Sequence, residues 1–278
     1  MTPEETRQVL HVAARAEAAD GTGPLDEATL LEIRMRPDDV RGWVRPEGFG
    51  LLIEDQIHLC VDPDQRDSGV GGELLEALLT DAWPRRSLEA WSHADHPAAR
   101  RLAARHEFEV VRELWVMRRP ADQPLPPVEL PDGVRIRGFE SGDTDALLAL
   151  NAASFAAHPE QGQMDAEGFA ERCAEPWFDP AGLLIAVDTS SGEMLGFHWT
   201  KVHDRDHGEV YVVGVSPASQ GIGLGRLLTL AGLHHLHERG VREVLLYVES
   251  DNAPAIRIYR DKLGFTHAQS DTHVMYRR

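Results

Sequence analysis

The feature that most restricts the fold of this chain is a glycine-containing loop that occurs twice, at residues 61–72 (VDPDQRDSGVGG) and 215–226 (VSPASQGIGLGR). Each copy follows an apolar run, turns at a proline and precedes a leucine-rich stretch. After each loop come a helix, a strand, a second helix and a closing strand that contains Val-Met, at 116–117 and 274–275. A repeat of this length indicates that a whole domain was duplicated, rather than a short solenoid unit.

The boundary between the two copies is predicted at RPADQPLPPVELPDG (119–133), where prolines stand at positions 120, 124, 126, 127 and 131. Proline at this density fixes an extended connector and cannot continue a helix or a central strand. The chain of 278 residues is long enough for two cores. We therefore predict an N-terminal domain at 1–119, a linker at 120–132 and a C-terminal domain at 133–278.

Strand-like and helix-like segments alternate along both halves. In the second half, VRIRGF, GLLIAV, MLGFHWTKV and GEVYVVGVSP have the pattern of strands, and RLLTLAGLHHLHERG has that of a helix. In the first half, QIHLCVDP and SLEAWSH are strand-like and ELLEALLTDAW is helix-like. This order predicts an α/β or α+β fold around a mixed sheet.

Composition excludes several classes of function. A net charge of −18 argues against binding to a nucleic-acid backbone, which depends on clustered Lys and Arg. Cys60 and Cys173 lie in different halves, so neither a disulfide framework nor a cysteine zinc site is indicated. The first twenty residues lack the apolar centre of a signal peptide, and no run has the length of a membrane span. We expect a cytoplasmic monomer that acts on small molecules.

The glycine loop is suited to binding an anion. A strand–loop–helix unit with closely spaced glycines leaves backbone N–H groups free at a helix N-terminus, and the helix dipole favours negative charge there. A P-loop would need lysine and then Ser or Thr after the last glycine, but Arg226 and Leu227 follow Gly225. A dinucleotide fingerprint would need a glycine where Arg226 stands. The pattern that remains is Gln/Arg-x-x-Gly-x-Gly.

That pattern resembles the pyrophosphate loop of the GNAT acyl-CoA-dependent N-acetyltransferases. The downstream segment LLYVESDNAPAIRIYRDKLGF (245–265) is similar to the family's later region, in which an Asn-led helix carries an Ala and a Tyr before Gly-Phe. Tyr259 stands one residue further from Gly264 than is usual in the family. The resemblance implies two tandem GNAT domains, each a mixed, mostly antiparallel sheet flanked by helices, with acetyl-CoA as co-substrate and no metal.

Within that family, the second half is similar to the mycothiol synthases, which acetylate the cysteinyl α-amine of cysteinyl-glucosaminyl-inositol (Cys-GlcN-Ins). The runs that carry this similarity are HPEQG (158–162), EPWFDPAGLL (175–184), GFHWTKVH (196–203), GEVYVVGV (208–215) and LLYVESDN (245–252), together with DGTGPLDE (20–27) in the first half. The resemblance implies that this reaction, the last step of mycothiol biosynthesis, is the activity of the chain.

The resemblance also assigns roles to individual residues. Glu209 is expected to act as general base, directly or through water, and Tyr259 as the acid that protonates the CoA thiolate. Substrate-binding residues are expected at Glu27, Glu160, Lys201, Glu209 and Tyr247. Acetyl-CoA is expected to contact Val213, Gly214, Val215, Gln220, Gly221, Ile222, Gly223, Leu224, Gly225, Arg226, Asn252, Ala253, Pro254, Ala255, Ile256 and Arg257.

The first copy keeps the glycines but not the catalytic positions. When the halves are aligned, His96 takes the place of Asn252 and Ala103 that of Tyr259, while Asp67 adds a negative charge to the loop. We expect this domain to be catalytically silent and to bind CoA weakly or not at all. Any such contact would involve Leu59, Cys60, Val61, Asp67, Ser68, Gly69, Val70, Gly71 and Gly72.

Two alternative functions stay open: a tandem GNAT enzyme that acetylates another small amine, such as an antibiotic or a polyamine, and a non-catalytic CoA-binding protein. The histidines at 234, 235 and 237 could suggest a metal, but the sequence offers no third ligand at a suitable spacing. We expect them to belong to a solvated helix.

Overall fold

A computed structural model describes residues 1–82, 87–156 and 161–278 of the chain. Its internal contacts divide the chain into two compact units, Met1–Trp115 with Ala268–Arg278, and Val116–His267. The first unit thus includes the last segment of the chain. The domain limits at residues 119 and 133 stay a prediction about two ancestral copies, because compact units are defined by contacts and not by ancestry.

Helices and strands alternate along the described residues. Their bounds in chain order are α1 (Pro3–Asp20), α2 (Glu27–Met35), β1 (Arg41–Arg45), β2 (Gly48–Ile53), β3 (Gln56–Val61), α3 (Val70–Asp81), β4 (Glu89–Ser92), α4 (Pro97–Arg105), β5 (Glu109–Pro120), β6 (Val134–Gly138), α5 (Thr144–Ser154), α6 (Ala166–Cys173), β7 (Leu183–Asp188), β8 (Met194–Val202), β9 (His207–Val215), α7 (Leu224–Glu238), β10 (Glu243–Glu249), α8 (Ala253–Leu263) and β11 (Thr266–Arg277). None of the helices in the described ranges is long and apolar enough to cross a bilayer.

Each unit contains a mixed sheet. The strand order is β1-β2-β3-β4-β11 in the first unit and β10-β9-β8-β7-β6 in the second. Strand β5 crosses the limit between the units, with Glu109–Trp115 in the first and Val116–Pro120 in the second. In the first unit β3 and β4 are parallel, and in the second β9 and β10 are parallel. The pairs β1–β2, β2–β3, β4–β11, β6–β7, β7–β8 and β8–β9 are antiparallel. The predicted fold, a mixed and mostly antiparallel sheet flanked by helices in each half, is confirmed.

The helix starts fall into two types. The first helix begins with a capping box in which Thr2 and Glu5 exchange hydrogen bonds with each other's backbone, and Asn252 caps α8 by accepting the Ala255 N–H. In contrast, α3 and α7 begin after Gly69 and Gly223, both in the left-handed region, and no side chain caps them. The first N–H groups of these two helices are therefore available to an anion.

The proline-rich connector is fixed to the second unit by Arg119, whose side chain is almost fully buried. Its guanidinium donates to the carbonyl oxygens of Leu263 at 2.8 Å and Gln123 at 2.6 Å, and also to those of Pro120 and Pro124. One buried cation thus ties the connector to the end of α8. The connector is held in place rather than acting as a loose tether.

A histidine lies in the core of the second unit. His198 on β8 is fully buried, and its Nδ1 is 2.8 Å from the carbonyl oxygen of Leu228 on α7. At Gly232, one turn further along α7, a Cβ would lie 2.0 Å from the His198 ring, so glycine permits this close approach. Burial lowers the pKa of His198 to about 4, and the ring is neutral at physiological pH.

This buried histidine makes the stability of the fold sensitive to acid. In the unfolded chain His198 titrates near its ordinary value of about 6.5, so the unfolded state binds the extra proton first as the pH falls. We expect His198 to account for a loss of about 2 kcal/mol of unfolding free energy between about pH 7 and about pH 5. Denaturant unfolding of His198→Asn should show a correspondingly smaller loss over this range. The exposed His11→Asn serves as control and should behave like the parent; equal pH dependence in all three proteins would contradict the assignment.

Candidate active site

The two central strands of the second unit separate halfway along their length. β9 and β10 are in parallel register from His207–Glu243 to Val210–Leu246. Beyond that pair β9 continues to Val215, and within the described chain no further β9–β10 register is formed. The edge of β9 at Val213–Val215 that faces away from β8 is therefore open to an extended ligand, which can pair with it as an added strand would.

A β-bulge lies at the point of separation. On β8, Thr200 is paired with Val210 and Trp199 with Val212, so Tyr211 is an extra residue on β9. A bulge bends its strand and increases the local twist, which explains why β9 turns away from β10 just after Val210. The Tyr211 ring packs against Trp177 and Trp199 at centroid distances of 5.3 and 5.5 Å.

The glycine loop follows the open edge directly. After a short 3-10 turn at Pro217–Ser219, Gly221 and Gly223 have φ of +85° and +80°, and α7 starts at Leu224. A Cβ added at either glycine would meet no atom within 4 Å, so the protein leaves the space above the loop empty. Left-handed glycines, open space and an uncapped helix start together fit a pyrophosphate.

The structure brings three of the predicted catalytic and substrate-binding residues to one face of the sheet. Lys201 on β8 and Leu245 on β10 are the register partners of Glu209 on β9, and Tyr247 lies two residues beyond Leu245. Residues in register, or two apart on a strand, point to the same side. Glu209 and Lys201 are buried, whereas Tyr247 is 44% exposed. Carboxylate, ammonium and phenol groups thus line this face.

Glu209 and Lys201 have different surroundings. Glu209 Oε2 lies 2.6 Å from Nε2 of His203, a residue outside the predicted set of site residues. Lys201 Nζ lies over the rings of Trp177 and Tyr211, 4.6 and 5.2 Å from their centroids. The lysine is thereby held by aromatic faces, which stabilise its positive charge.

Tyr259 stands on α8 with its ring 6.0 Å from that of Phe265. Burial raises the pKa of its hydroxyl to about 12, so the phenol keeps its proton at neutral pH and can donate it. The N–H groups of Gly264 and Phe265 both bond to the Tyr259 carbonyl oxygen. The additional residue between Tyr259 and Gly264 is accommodated in this last turn of the helix.

The start of α8 divides the remaining predicted cofactor residues into two groups. Asn252 uses its side chain to cap the helix, and Ile256 is buried in the core. Ala253, Pro254 and Arg257 are exposed. Ala253, Pro254 and Arg257 are thus available to a ligand, and Ala255 between them is half-buried. Asn252 and Ile256 have structural contacts that would explain their identity without a ligand.

Comparison with known proteins identifies the family. The sequence profile of the acetyltransferase (GNAT) family matches residues 145–265. The mycothiol acetyltransferase of Nocardioides sp. is 57% identical over 97% of this chain and 96% of its own, and that of Thermobispora bispora is 47% identical over 100% and 97%. The chain belongs to the mycothiol acetyltransferase family, within the GNAT acetyltransferases. It is an acetyl-CoA-dependent N-acetyltransferase.

Solved structures agree with this membership at the level of the fold. A tandem GNAT protein from the clavulanic acid biosynthesis pathway matches with a TM-score of 0.72 and 20% identity, over 99% of this chain and 94% of its own. A GCN5-related N-acetyltransferase from Sphaerobacter thermophilus matches with a TM-score of 0.70 and 24% identity, over 100% and 93%. The recognition of a tandem GNAT architecture from the repeated loop is confirmed.

The first unit of this GNAT chain repeats the loop geometry with different side chains. Asp67 has φ of +58° at the position of Gly221, and α3 starts at Val70 without a side-chain cap. Arg66, which replaces Gln220, forms two hydrogen bonds of 2.7 Å with the carboxylate of Asp20. The backbone cradle is therefore retained, while its arginine is already engaged by a carboxylate.

Packing beside the two loops also differs. A Cβ at Gly71 would lie 3.6 Å from Leu102 of α4, which packs into the core of the first unit. A Cβ added at the counterpart Gly225 would meet only the Val215 side chain. The residue that corresponds to Leu102 is Ile258, and it is 37% exposed. Cys60 is buried, and burial raises the pKa of its thiol to about 12. The side of the first loop that faces α4 is occupied by protein.

Two further predicted substrate-binding residues, Glu27 and Glu160, belong to other segments of the chain. Glu27 is the first residue of α2, immediately after the cap Asp26, and is half-buried. Its role toward the substrate stays a prediction. Glu160 lies outside the described residues.

The histidines of α7 have structural partners. His234 and His237 lie 2.9 and 3.0 Å from the carbonyl oxygens of Pro126 and Ala121 in the connector, and His235 is 3.4 Å from Asp179. Within the described ranges, no group of three or more His, Cys, Asp or Glu side chains is arranged to hold a metal. His234 and His237 thus attach the connector to α7, whereas His235 contacts Asp179.

The structure adds His203 and Tyr211 to the site. His203 stands two residues after Lys201, at the end of a hairpin whose register brings it opposite His207. Alternation along β8 and β9 would have placed His203 on the face of Glu209, so a sequence signal for it existed. The bulge at Tyr211 has no such signal, because it depends on how two strands pair.

The loop assignment can be tested with two glycines that share one backbone conformation. Gly223 and Gly240 have φ of +80° and +82°, and a Cβ on either would enter open space. Alanine at either position should therefore cost a similar unfolding free energy, about 1 kcal/mol. Only Gly223→Ala should weaken acetyl-CoA binding, roughly tenfold or more, because its Cβ would stand between phosphate and backbone. Calorimetric titration measures this, and equal affinities for the two variants would contradict the assignment.

Proposed function

We propose that this enzyme transfers the acetyl group of acetyl-CoA to the cysteinyl α-amine of Cys-GlcN-Ins, and thereby completes mycothiol. The observation that carries the proposal is the position of Glu209 on β9, on the strand that leads through the open edge at Val213–Val215 to the glycine loop. The names of the relatives support the choice of substrate. The acid-rich composition is compatible with a small cationic amine.

Glu209 acts as the general base. An α-amino group has a pKa of about 7.7–8.0, so the base has only to remove one proton from a nucleophile that is already partly neutral. The carboxylate accepts that proton directly or through one water molecule. Lys201 and Tyr247, on the same face, bind the hydroxyl groups of the sugar and inositol, with Glu160 and Glu27 as further polar contacts.

The open edge and the loop hold the other reactant. Backbone groups of Val213–Val215 pair with the amides of the pantetheine arm, and a backbone N–H near Val213 stabilises the oxyanion. The loop and the start of α7 bind the pyrophosphate through backbone N–H groups. As the new C–N bond forms and the thioester C–S bond breaks, Tyr259 gives its proton to the departing sulfur.

The first unit is catalytically silent in this proposal and binds acetyl-CoA weakly or not at all. The ion pair between Arg66 and Asp20, the carboxylate of Asp67 and the Leu102 side chain beside Gly71 all disfavour a pyrophosphate. The enzyme works as a monomer in the cytoplasm, without a metal. A titration with acetyl-CoA should give one tight site per chain, and two equivalent tight sites would refute weak binding in the first unit.

The two catalytic roles predict distinct kinetic losses. Glu209→Gln should lower kcat by a factor on the order of 10² to 10⁴, and Tyr259→Phe by roughly 10². Neither should change the affinity for acetyl-CoA, because neither residue holds the pyrophosphate. Tyr276→Phe, which removes a tyrosine hydroxyl in the first unit, is the matched control and should turn over like the parent.

Product should be quantified by mass spectrometry, because Cys-GlcN-Ins carries its own thiol and would react with a thiol reagent used to detect CoA. The parent enzyme is expected to form the N-acetyl product from Cys-GlcN-Ins and not from polyamines or aminoglycosides. Absence of product from Cys-GlcN-Ins would refute the proposal that it is the substrate. Normal turnover by Tyr259→Phe would remove Tyr259 as the acid.

A further inference from the structure

We propose that His203 is a positioning residue, which holds the carboxylate of Glu209 in the orientation needed to accept the proton of the substrate amine. This inference rests on the proposed role of Glu209 as the base. It adds a residue that neither the glycine loop nor the family resemblance assigns.

The contact between the two side chains is short, and the two side chains differ in their exposure to solvent. His203 Nε2 and Glu209 Oε2 are 2.6 Å apart, and the side chains are 34% and 7% exposed. A buried carboxylate is costly unless a donor compensates for the lost water. Among the described residues, His203 is the hydrogen-bond donor found at the Glu209 carboxylate. The imidazole N–H therefore fixes Oε2 and leaves Oε1 for the amine or an intervening water.

The hairpin turn holds His203 firmly. Its N–H bonds to the carbonyl oxygen of His207 at 3.0 Å across the turn. Asp204 Oδ1 accepts the N–H groups of Asp206 and His207 at 2.7 and 2.9 Å, which closes the turn. With both ends of the turn bonded, the imidazole is supported by regular backbone rather than by a free loop.

Two neighbouring ionisable side chains on this hairpin have other partners. Lys201, the register partner of Glu209, has its ammonium over the Trp177 and Tyr211 rings. His207 is 3.0 Å from the carboxylate of Asp204. On the β10 side, Leu245 stands opposite Glu209 and brings no charge. The orientation of Glu209 therefore depends on His203 more than on any of these groups.

Two substitutions at His203 separate the hydrogen bond from the imidazole itself. In His203→Gln the side-chain amide can place an N–H near the position of Nε2, whereas the amide of His203→Asn is too short to reach Oε2. We expect His203→Asn to lower kcat roughly 10- to 100-fold with an unchanged Kd for acetyl-CoA, and His203→Gln to retain most of the parental kcat. His207→Asn, at the other end of the turn, is the control and should keep the parental kcat.

A double variant tests whether His203 acts through Glu209. If it does, His203→Asn should cause little further loss of kcat in the Glu209→Gln background. If the factors by which the two single substitutions lower kcat multiply in the double variant, the proposal is overturned. A parental kcat in His203→Asn would overturn it as well. A His203→Gln enzyme as slow as His203→Asn, with rates restored by added imidazole, would also overturn it, because His203 would then be moving protons rather than orienting Glu209.

The same series distinguishes this inference from the proposed function. Loss of kcat in Glu209→Gln together with normal turnover in His203→Asn would refute the positioning role alone. Normal turnover in Glu209→Gln would refute the role of Glu209 as general base, and with it the reason for positioning that carboxylate.

Discussion

The site depends on the point at which β9 loses its pairing with β10. Up to Val210 the two strands form an ordinary parallel pair, and at Tyr211 an extra residue on β9 breaks the register with β8. The bulge twists β9 away from its neighbour, and aromatic contacts of Tyr211 with Trp177 and Trp199 hold it in that position. One strand therefore carries Glu209, the proposed base, on its paired half and an open backbone edge on its unpaired half.

The order of these features along β9 suits the proposed reaction. Glu209 stands just before the bulge, Val213–Val215 just after it, and the glycine loop begins where the strand ends. A thioester bound along the open edge would place its pyrophosphate at the loop. Because all these groups are on one short segment, the strand and the loop after it set the spacing between them. The Pro-rich connector, clamped by Arg119 at the end of α8, adds rigidity to the helix that carries Tyr259.

The two halves show that the backbone of the duplicated loop is kept while its side chains differ. Both loops have left-handed residues at matching positions and both are followed by an uncapped helix. What differs is the side chains, chiefly the Arg66–Asp20 ion pair and Leu102 beside Gly71. A backbone conformation is maintained by its own local turn residues, so it can persist when the side chains around it change.

Sequence reasoning could predict what depends on local pattern. The strands and helices of both halves, the mixed sheets and the tandem architecture follow from periodicity, turn residues and the repeated loop. Contacts set by tertiary packing were not accessible in this way. Arg119 resembles any other charged residue beside prolines, and the histidines of α7 gave no sign that they would bond to connector carbonyls. The bulge at Tyr211 and the pairing of His203 with Glu209 depend on register between strands.

Hydrogen exchange of the β9 amides tests the central claim most directly. If the segment Val213–Val215 is an edge that pairs with the pantetheine arm, saturating CoA should slow exchange of those of its amides that point away from β8 by about tenfold or more. The already paired strand β7 (Leu183–Asp188) is the internal reference and should change little. Unchanged exchange at Val213–Val215 with CoA bound would contradict the account, because the separation of β9 from β10 would then have no role in holding the co-substrate.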